Sequence, residues 1–169
     1  MRLVIPLKQH VGGPCEPIVH PKDKVKRGQL IAKPNGLGAN IHASANAEVV
    51  EVTDSAIILE TIGEIDLNDY VRLEATEPLD LIKEAGIIGA GGAGFPSHVK
   101  YGTKVEGGYL FANAAECEPL LEHNMAMFLR DPEKVLRGMK YVMEITGTTK
   151  GVVAIKPKHQ KEMIAIAKA

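Results

Sequence analysis

Short apolar and β-branched runs recur through the first 75 residues, at Leu3-Val4-Ile5, Ile18-Val19, Leu30-Ile31-Ala32, Val49-Val50-Glu51-Val52, Ala56-Ile57-Ile58-Leu59 and Tyr70-Val71-Arg72-Leu73. Gly, Pro, Asn and Asp clusters separate them, which predicts the strands of a small all-β unit. The pattern changes at Glu74-Ala75-Thr76-Glu77-Pro78. Thr76 or Glu77 followed by Pro78 makes a helix start, Leu79 and Ile82 give it an apolar stripe, and Gly86 stops it. Further on, Tyr109-Leu110-Phe111-Ala112-Asn113 suits a buried strand, and a helix from Pro119 would carry Leu120, Leu121, Met125, Phe128 and Leu129. Asp131 and Pro132 open a second helix with Val135, Leu136, Met139, Val142 and Met143 on one side and Gly147 at its end. Gly151-Val152-Val153-Ala154-Ile155 reads as another strand and Gln160 to Lys168 as a last helix. Strand, helices, strand, helix is the alternation of a parallel α/β layer. The chain is therefore expected to be a two-domain α+β protein, with a β domain over 1–75 and an α/β domain over 76–169. Two strands make a poor sheet, so the second domain looks incomplete as given.

Between the first predicted helix and the Tyr109 strand the polar pattern is unusual. Five glycines fall in Gly86-Ile87-Ile88-Gly89-Ala90-Gly91-Gly92-Ala93-Gly94-Phe95-Pro96-Ser97-His98-Val99-Lys100. Glycine is costly to order, so this density fits backbone that must take positive φ or lie against a ligand. Successive N–H groups can form an anion-binding concavity, and Lys100 adds a positive charge nearby in sequence. Gly89-x-Gly91-x-x-Gly94 also satisfies the dinucleotide fingerprint, with Glu116 at about the distance of its ribose-binding acid. The context departs from that motif, because Pro96 pushes Phe95 out of the helical region and no strand precedes the loop. A flexible linker would interleave Gly with Ser, whereas this one interleaves it with Ile, Ala and Phe. Asn113, Glu116 and Glu118 follow at the end of the Tyr109 strand, where α/β sheets bind ligands.

Composition narrows the function classes. A net charge of -1 over 169 residues leaves no electrostatic footprint for nucleic acid. No apolar run reaches the roughly 18–20 residues of a membrane helix, and Met1-Arg2-Leu3-Val4-Ile5-Pro6 has no signal-peptide core, so a cytoplasmic protein is expected. Cys15 and Cys117 form no CxxC spacing, and His10, His20 and His42 share no ligand spacing, so no metal site is expected. Lys22, Lys24, Lys26 and Arg27 around Asp23 read as a solvated turn, and Lys33 as a surface turn residue.

The pair Gly-Ala-Gly-Gly-Ala-Gly-Phe-Pro-Ser-His-Val-Lys (89–100) and Asn-Ala-Ala-Glu-Cys-Glu-Pro (113–119) resembles the flavin-binding region of RnfC-like electron-transport subunits and, more distantly, the flavin subunit of respiratory complex I. The RnfC-like proteins include the electron-transfer protein associated with proline reductase. Val25 to Ile31 and Ile41 to Val50 resemble the barrel-sandwich hybrid that opens such proteins, and Pro6 to Gly12 their N-terminal segment. This resemblance implies FMN as cofactor, approached by the backbone of Gly89, Gly91, Gly92 and Gly94, with Lys100, Asn113 and Glu116 as polar partners. In nicotinamide-oxidising relatives an aromatic at the Phe95 position stacks on adenine and an acid at the Glu118 position helps hold the nicotinamide. The implied partners are NADH or another reduced donor and the other subunits of an electron-transfer complex, through which the protein would sit peripherally at a membrane. Iron–sulfur clusters belong to the part of the family's length that follows these residues, so the chain is expected to be an N-terminal part, and its alternative is a docking module with an empty flavin site. Two positions depart from the pattern: Ala115, where the complex I subunit has aspartate, and Lys156, where many relatives carry an acid.

Overall fold

A computed structural model of the chain describes residues 1–90, 92–116 and 121–169. It divides into two compact units, Met1–Lys100 and Tyr101–Ala169, and each is described by itself.

The first unit is built from β1 (Arg2–Pro6), β2 (Cys15–Pro17), β3 (Lys24–Val25), β4 (Leu30–Pro34), β5 (Ile41–His42), β6 (Ala47–Val52) and β7 (Ala56–Thr61). They form two antiparallel sheets, ordered β1-β7-β6-β3 and β2-β4-β5. Neither sheet closes into a barrel; the two are open layers with the core between them. Alternation decides which side chains go in: Ala47 and Val49 of β6 are fully buried while Glu48 and Val50 face outward. β7, flanked by β1 and β6, contributes Ile57 and Leu59, which meet Ile31, Ala32 and Val49 in that core. The hairpin between β6 and β7 is tied by Thr53, whose hydroxyl accepts the Ala56 N–H at 3.0 Å.

Several sequence expectations need correcting in this unit. The strand expected at Ile18-Val19 lies slightly earlier, at Cys15–Pro17. Lys33 sits in β4 opposite Glu16, exposed but not in a turn. Tyr70 to Leu73 forms no strand. Residues 62–77 run as an irregular strap in which Val71 N–H donates to Arg27 O at 2.8 Å, a single rung with no continuing edge. Arg27 is the hub of that strap rather than a solvated turn residue. Its guanidinium donates to Leu67 O at 2.6 Å and lies 5.7 Å over the Tyr70 ring. Asn46 joins them by accepting from Arg27 N–H and donating to Asp69, both at 2.8 Å.

The strap ends in α1 (Pro78–Glu84), which starts with Pro78 and stops at Ala85 before Gly86, as the sequence suggests. Its last carbonyls are held from outside: Asn40 Nδ2 donates to Lys83 O at 3.3 Å and to Glu84 O at 3.2 Å. The Glu84 carboxylate accepts the N–H of Glu74 at 2.9 Å and of Ala75 at 2.8 Å, and these bonds lower its pKa. Burial lowers the pKa of His42, partly offset by Glu84, and burial together with Lys83 lowers that of His98. Below the ordinary histidine value of 6.5 the unfolded chain takes up protons that both folded imidazoles resist. Stability is therefore expected to be level from pH 8 to about 6.5 and to fall as the pH drops further. A second loss begins below the ordinary glutamate value of 4.5, where Glu84 surrenders its charge. Urea midpoints at pH 7.5, 6.0 and 5.0 measure this, and a midpoint that rises on acidification over that range contradicts it.

The second unit holds β8 (Tyr109–Ala114), α3 (His123–Arg130), α4 (Pro132–Thr146), β9 (Lys150–Ile155) and α5 (Gln160–Lys168). The short α2 (Ser97–Tyr101) spans the division between the units. β8 and β9 pair in parallel from Tyr109↔Lys150 to Ala114↔Ile155. Ala114, Met125 and Phe128 are buried with Val135, Val153, Ile155 and Ile166 packed on them, so the helices cover the face of β8 that carries Ala114. Tyr109 and Phe111, on the other face, are exposed and stack at 5.9 Å. α3 begins at His123, and the expected helix start at Pro119, with Leu120, lies outside the described residues. Leu121 and Leu129 are exposed rather than core. Asp131 precedes α4 as expected but makes no capping bond, because its carboxylate is taken by Arg130 at 2.7 Å and Lys134 at 3.4 Å. Gly147 ends α4 in the left-handed conformation. Among the described residues, no helix is long and apolar enough to cross a membrane.

Candidate functional site

The glycine stretch leaves α1 and folds back on itself. Ile88 bridges Pro96, Gly89 N–H donates to Phe95 O at 2.9 Å, and Ser97 N–H donates to Ile87 O at 2.9 Å. These bonds close the base of a loop whose described tip residues are Ala90, Gly92 and Ala93. Pro96 is buried and α2 starts just after it at Ser97, so the chain turns into that helix only after the loop has closed. This is neither the strand-loop-helix of a dinucleotide fold nor an untethered linker.

The base is fastened to the β domain. Val11 N–H donates to Gly94 O at 3.3 Å, and a Cβ at position 94 would stand 3.1 Å from Gln9 O and 3.2 Å from His10 Cα. Gly94 is buried, and its missing side chain is what permits that approach. His10 beneath it is 6% exposed, and its two nitrogens lie 3.0 Å from Val11 O and 3.1 Å from the Ala39 N–H. One self-consistent assignment has a neutral ring donating from Nδ1 and accepting at Nε2. Cys15 Sγ is 3.3 Å from the same Nε2, and burial pushes its thiol pKa up, so it serves as a packed neutral thiol. The position of His10 under the glycine loop is not legible in the sequence, because the contact spans more than 80 residues of chain.

At the tip the picture reverses. Gly89, Ala90, Gly92 and Ala93 are exposed, and a Cβ built at Gly92 would meet nothing within 4 Å. Gly92 has φ +153, a conformation L side chains rarely adopt. Among the described residues, no hydrogen bond engages the N–H of Ala90, Gly92 or Ala93. Phe95 is 41% exposed and Lys100 is exposed on α2. The first unit thus gathers Gly89, Gly92, Gly94, Phe95 and Lys100 on one loop and its flank, while Gly91 lies outside the described residues.

The second unit carries the remaining candidates at the carboxyl end of β8. Asn113 Oδ1 accepts the Ala115 N–H at 3.1 Å, a local turn that bends the chain as the strand ends. Glu116 Oε2 accepts from Asn124 Nδ2 of α3 at 2.9 Å. The Glu116 carbonyl accepts from the Lys156 ammonium, which stands one residue past β9. Glu118 and Cys117 lie outside the described residues. Lys156 is visible in the sequence only as a departure from a pattern; its reach across to the neighbouring strand's end follows from the parallel register.

Comparison with known proteins bears on both units. Residues 82–169 match the family described as the Nuo51 FMN-binding domain, and residues 1–64 match the RnfC barrel sandwich hybrid domain. The chain is 36% identical to the C component of a proton-translocating ferredoxin:NAD(+) oxidoreductase complex of Clostridium ljungdahlii, over 99% of this chain and 41% of that protein. It is 32% identical to the C component of a Na(+)-translocating ferredoxin:NAD(+) oxidoreductase complex of Acetobacterium woodii, over 99% of this chain and 42% of that one. Cobalamin reductase PduS of Salmonella typhimurium is 40% identical over 57% of this chain and 21% of its own length. The chain therefore spans about two fifths of the length of the first two of these relatives.

Proposed function

Because the chain belongs to the family of the Nuo51 FMN-binding domain and is RnfC-like from end to end, we propose that it binds FMN and forms part of an electron-transfer subunit. In that role it moves electrons between a reduced carrier such as NADH and iron–sulfur centres carried elsewhere. The observation that supports this most directly is the exposed loop tip, where among the described residues the amides of Ala90, Gly92 and Ala93 are free to donate while the base is fastened. A phosphorylated planar cofactor suits such a surface, since bare N–H groups meet phosphate oxygens and no Cβ intervenes at Gly92. Bound FMN would supply the exchange between two-electron and one-electron steps.

The chain's own residues then have separate duties. Gly89, Gly91 and Gly92 present backbone to the cofactor, and Gly94 keeps that backbone in place by packing on the β domain. Lys100, Asn113 and Glu116 provide the polar contacts that orient it. Phe95, left partly in solvent, and Glu118 are assigned to the nucleotide of the donor. The boundary between the two domains is assigned to residues 75 and 76, and the β domain serves as the docking side toward other subunits of a membrane-peripheral complex in the cytoplasm.

Titrating the purified chain into FMN and following quenching of flavin fluorescence tests the cofactor assignment. Saturable one-to-one binding is expected. Failure of FMN to bind at any concentration reached would overturn it and favour the empty docking module.

A further inference from the structure

We infer that Lys156 is a positioning residue for the group at the end of β8, and that its charge tilts this group toward an anionic ligand state; the inference rests on the flavin reading above. The last paired rung of the parallel sheet is Ala114↔Ile155. Side chains alternate along a strand, and Ile155 packs into the helical core. The next residue, Lys156, is half-buried and sends its ammonium to the Glu116 carbonyl. Among the hydrogen bonds between described residues, three hold 113–116 from different directions. Asn113 holds Ala115 N–H, Asn124 holds the Glu116 carboxylate, and Lys156 holds the Glu116 carbonyl. Of the three, the lysine bond alone joins the ends of the two strands and alone carries charge on the donor. A charge-assisted bond is about twice as strong as a neutral one, so it sets the direction of that peptide group most firmly.

Electrostatics adds to geometry. The Glu116 carboxylate accepts from the Asn124 amide, and Lys156 brings a positive charge to the same few residues. A reduced flavin carries negative charge that a nearby cation stabilises more than it stabilises the oxidised form. Lys156 is accordingly a residue that matters to redox state as well as to affinity.

The test has two arms on the full chain. Without ligand, amide hydrogen exchange at Ala115 is compared between wild type, Lys156→Met and Lys156→Arg, with thermal melting as the control for global folding. With FMN, binding and the midpoint potential of the bound flavin are measured for the same three proteins. Lys156→Met is expected to exchange faster at Ala115 and to bind oxidised FMN about tenfold more weakly, as the loss of one charge-assisted bond implies. Its potential is expected to fall by about 30 mV for each further factor of ten lost by the reduced form. Lys156→Arg restores all three readouts. Unchanged exchange at Ala115 in Lys156→Met overturns the positioning role whether or not FMN binds. Wild-type FMN binding with an unchanged potential in Lys156→Met overturns the electrostatic role. A wild type that binds no FMN sinks the flavin reading and with it the electrostatic role, and the exchange arm still decides the positioning role.

Discussion

Gly86→Val is expected to unfold the first compact unit at temperatures where the wild type is intact. A Cβ at this position would stand 2.1 Å from Asn40 O and 3.0 Å from Asn40 C, inside any permissible contact. Asn40 cannot simply retreat, because its side chain holds the last carbonyls of α1 and its neighbour Ile41 is paired in β5. Gly86 also has φ +67, a left-handed conformation that costs an L residue about 1–2 kcal/mol and a β-branched one more. Overpacking adds typically 1–3 kcal/mol, so the total is roughly 3–5 kcal/mol and the melting temperature should drop by about 15 °C or more. Gly63→Val separates the two causes. Gly63 has φ +69 but no atom within 4 Å of an added Cβ, so only the conformational cost applies there, about 1–2 kcal/mol. Equal melting-temperature losses for the two variants would show that the contact with Asn40 carries nothing.

That glycine illustrates which parts of the fold can be read from the sequence. A stop after α1 is legible, since Gly86 follows the last apolar position of a short stripe; the reason it must be glycine is not, because Asn40 is far away in the chain. β8, β9 and α5 are legible because local apolar runs bounded by Gly or polar turns admit few alternatives. Tyr70 to Leu73 has the same local composition as a strand and is not one, since a strand exists only where a neighbouring edge offers consecutive partners, and Arg27 offers a single carbonyl. Arg27 itself escapes a reading from sequence for a related reason: four basic residues in six look like a solvated turn until a distant strap supplies an aromatic ring and a carbonyl. Among the candidate site residues, the glycines announce themselves by their conformational cost. The division of labour among them does not, because Gly94 is fixed by Gln9 and His10 whereas Gly92 touches nothing.

That division makes the strongest functional prediction. Gly92→Val is expected to reduce FMN affinity by about a hundredfold or more while leaving the melting temperature within a few degrees of wild type. At φ +153 a valine would force the tip out of its conformation, at a cost on the order of 1–3 kcal/mol, and its branched side chain would occupy the surface on which the cofactor is proposed to lie. Nothing in the protein lies within 4 Å of that added Cβ, so the backbone can relax without disturbing the core. Gly94→Val should behave differently. Its Cβ would press on Gln9 O, His10 Cα and Ile88 Cδ1 at 3.1–3.3 Å in a left-handed residue, so folding and FMN binding should fail together. Binding isotherms and thermal melts on the two variants side by side distinguish a cofactor surface from a structural turn. If Gly92→Val binds FMN as the wild type does, the exposed amides of the loop tip are not what holds the flavin, and the cofactor must be sought away from this loop.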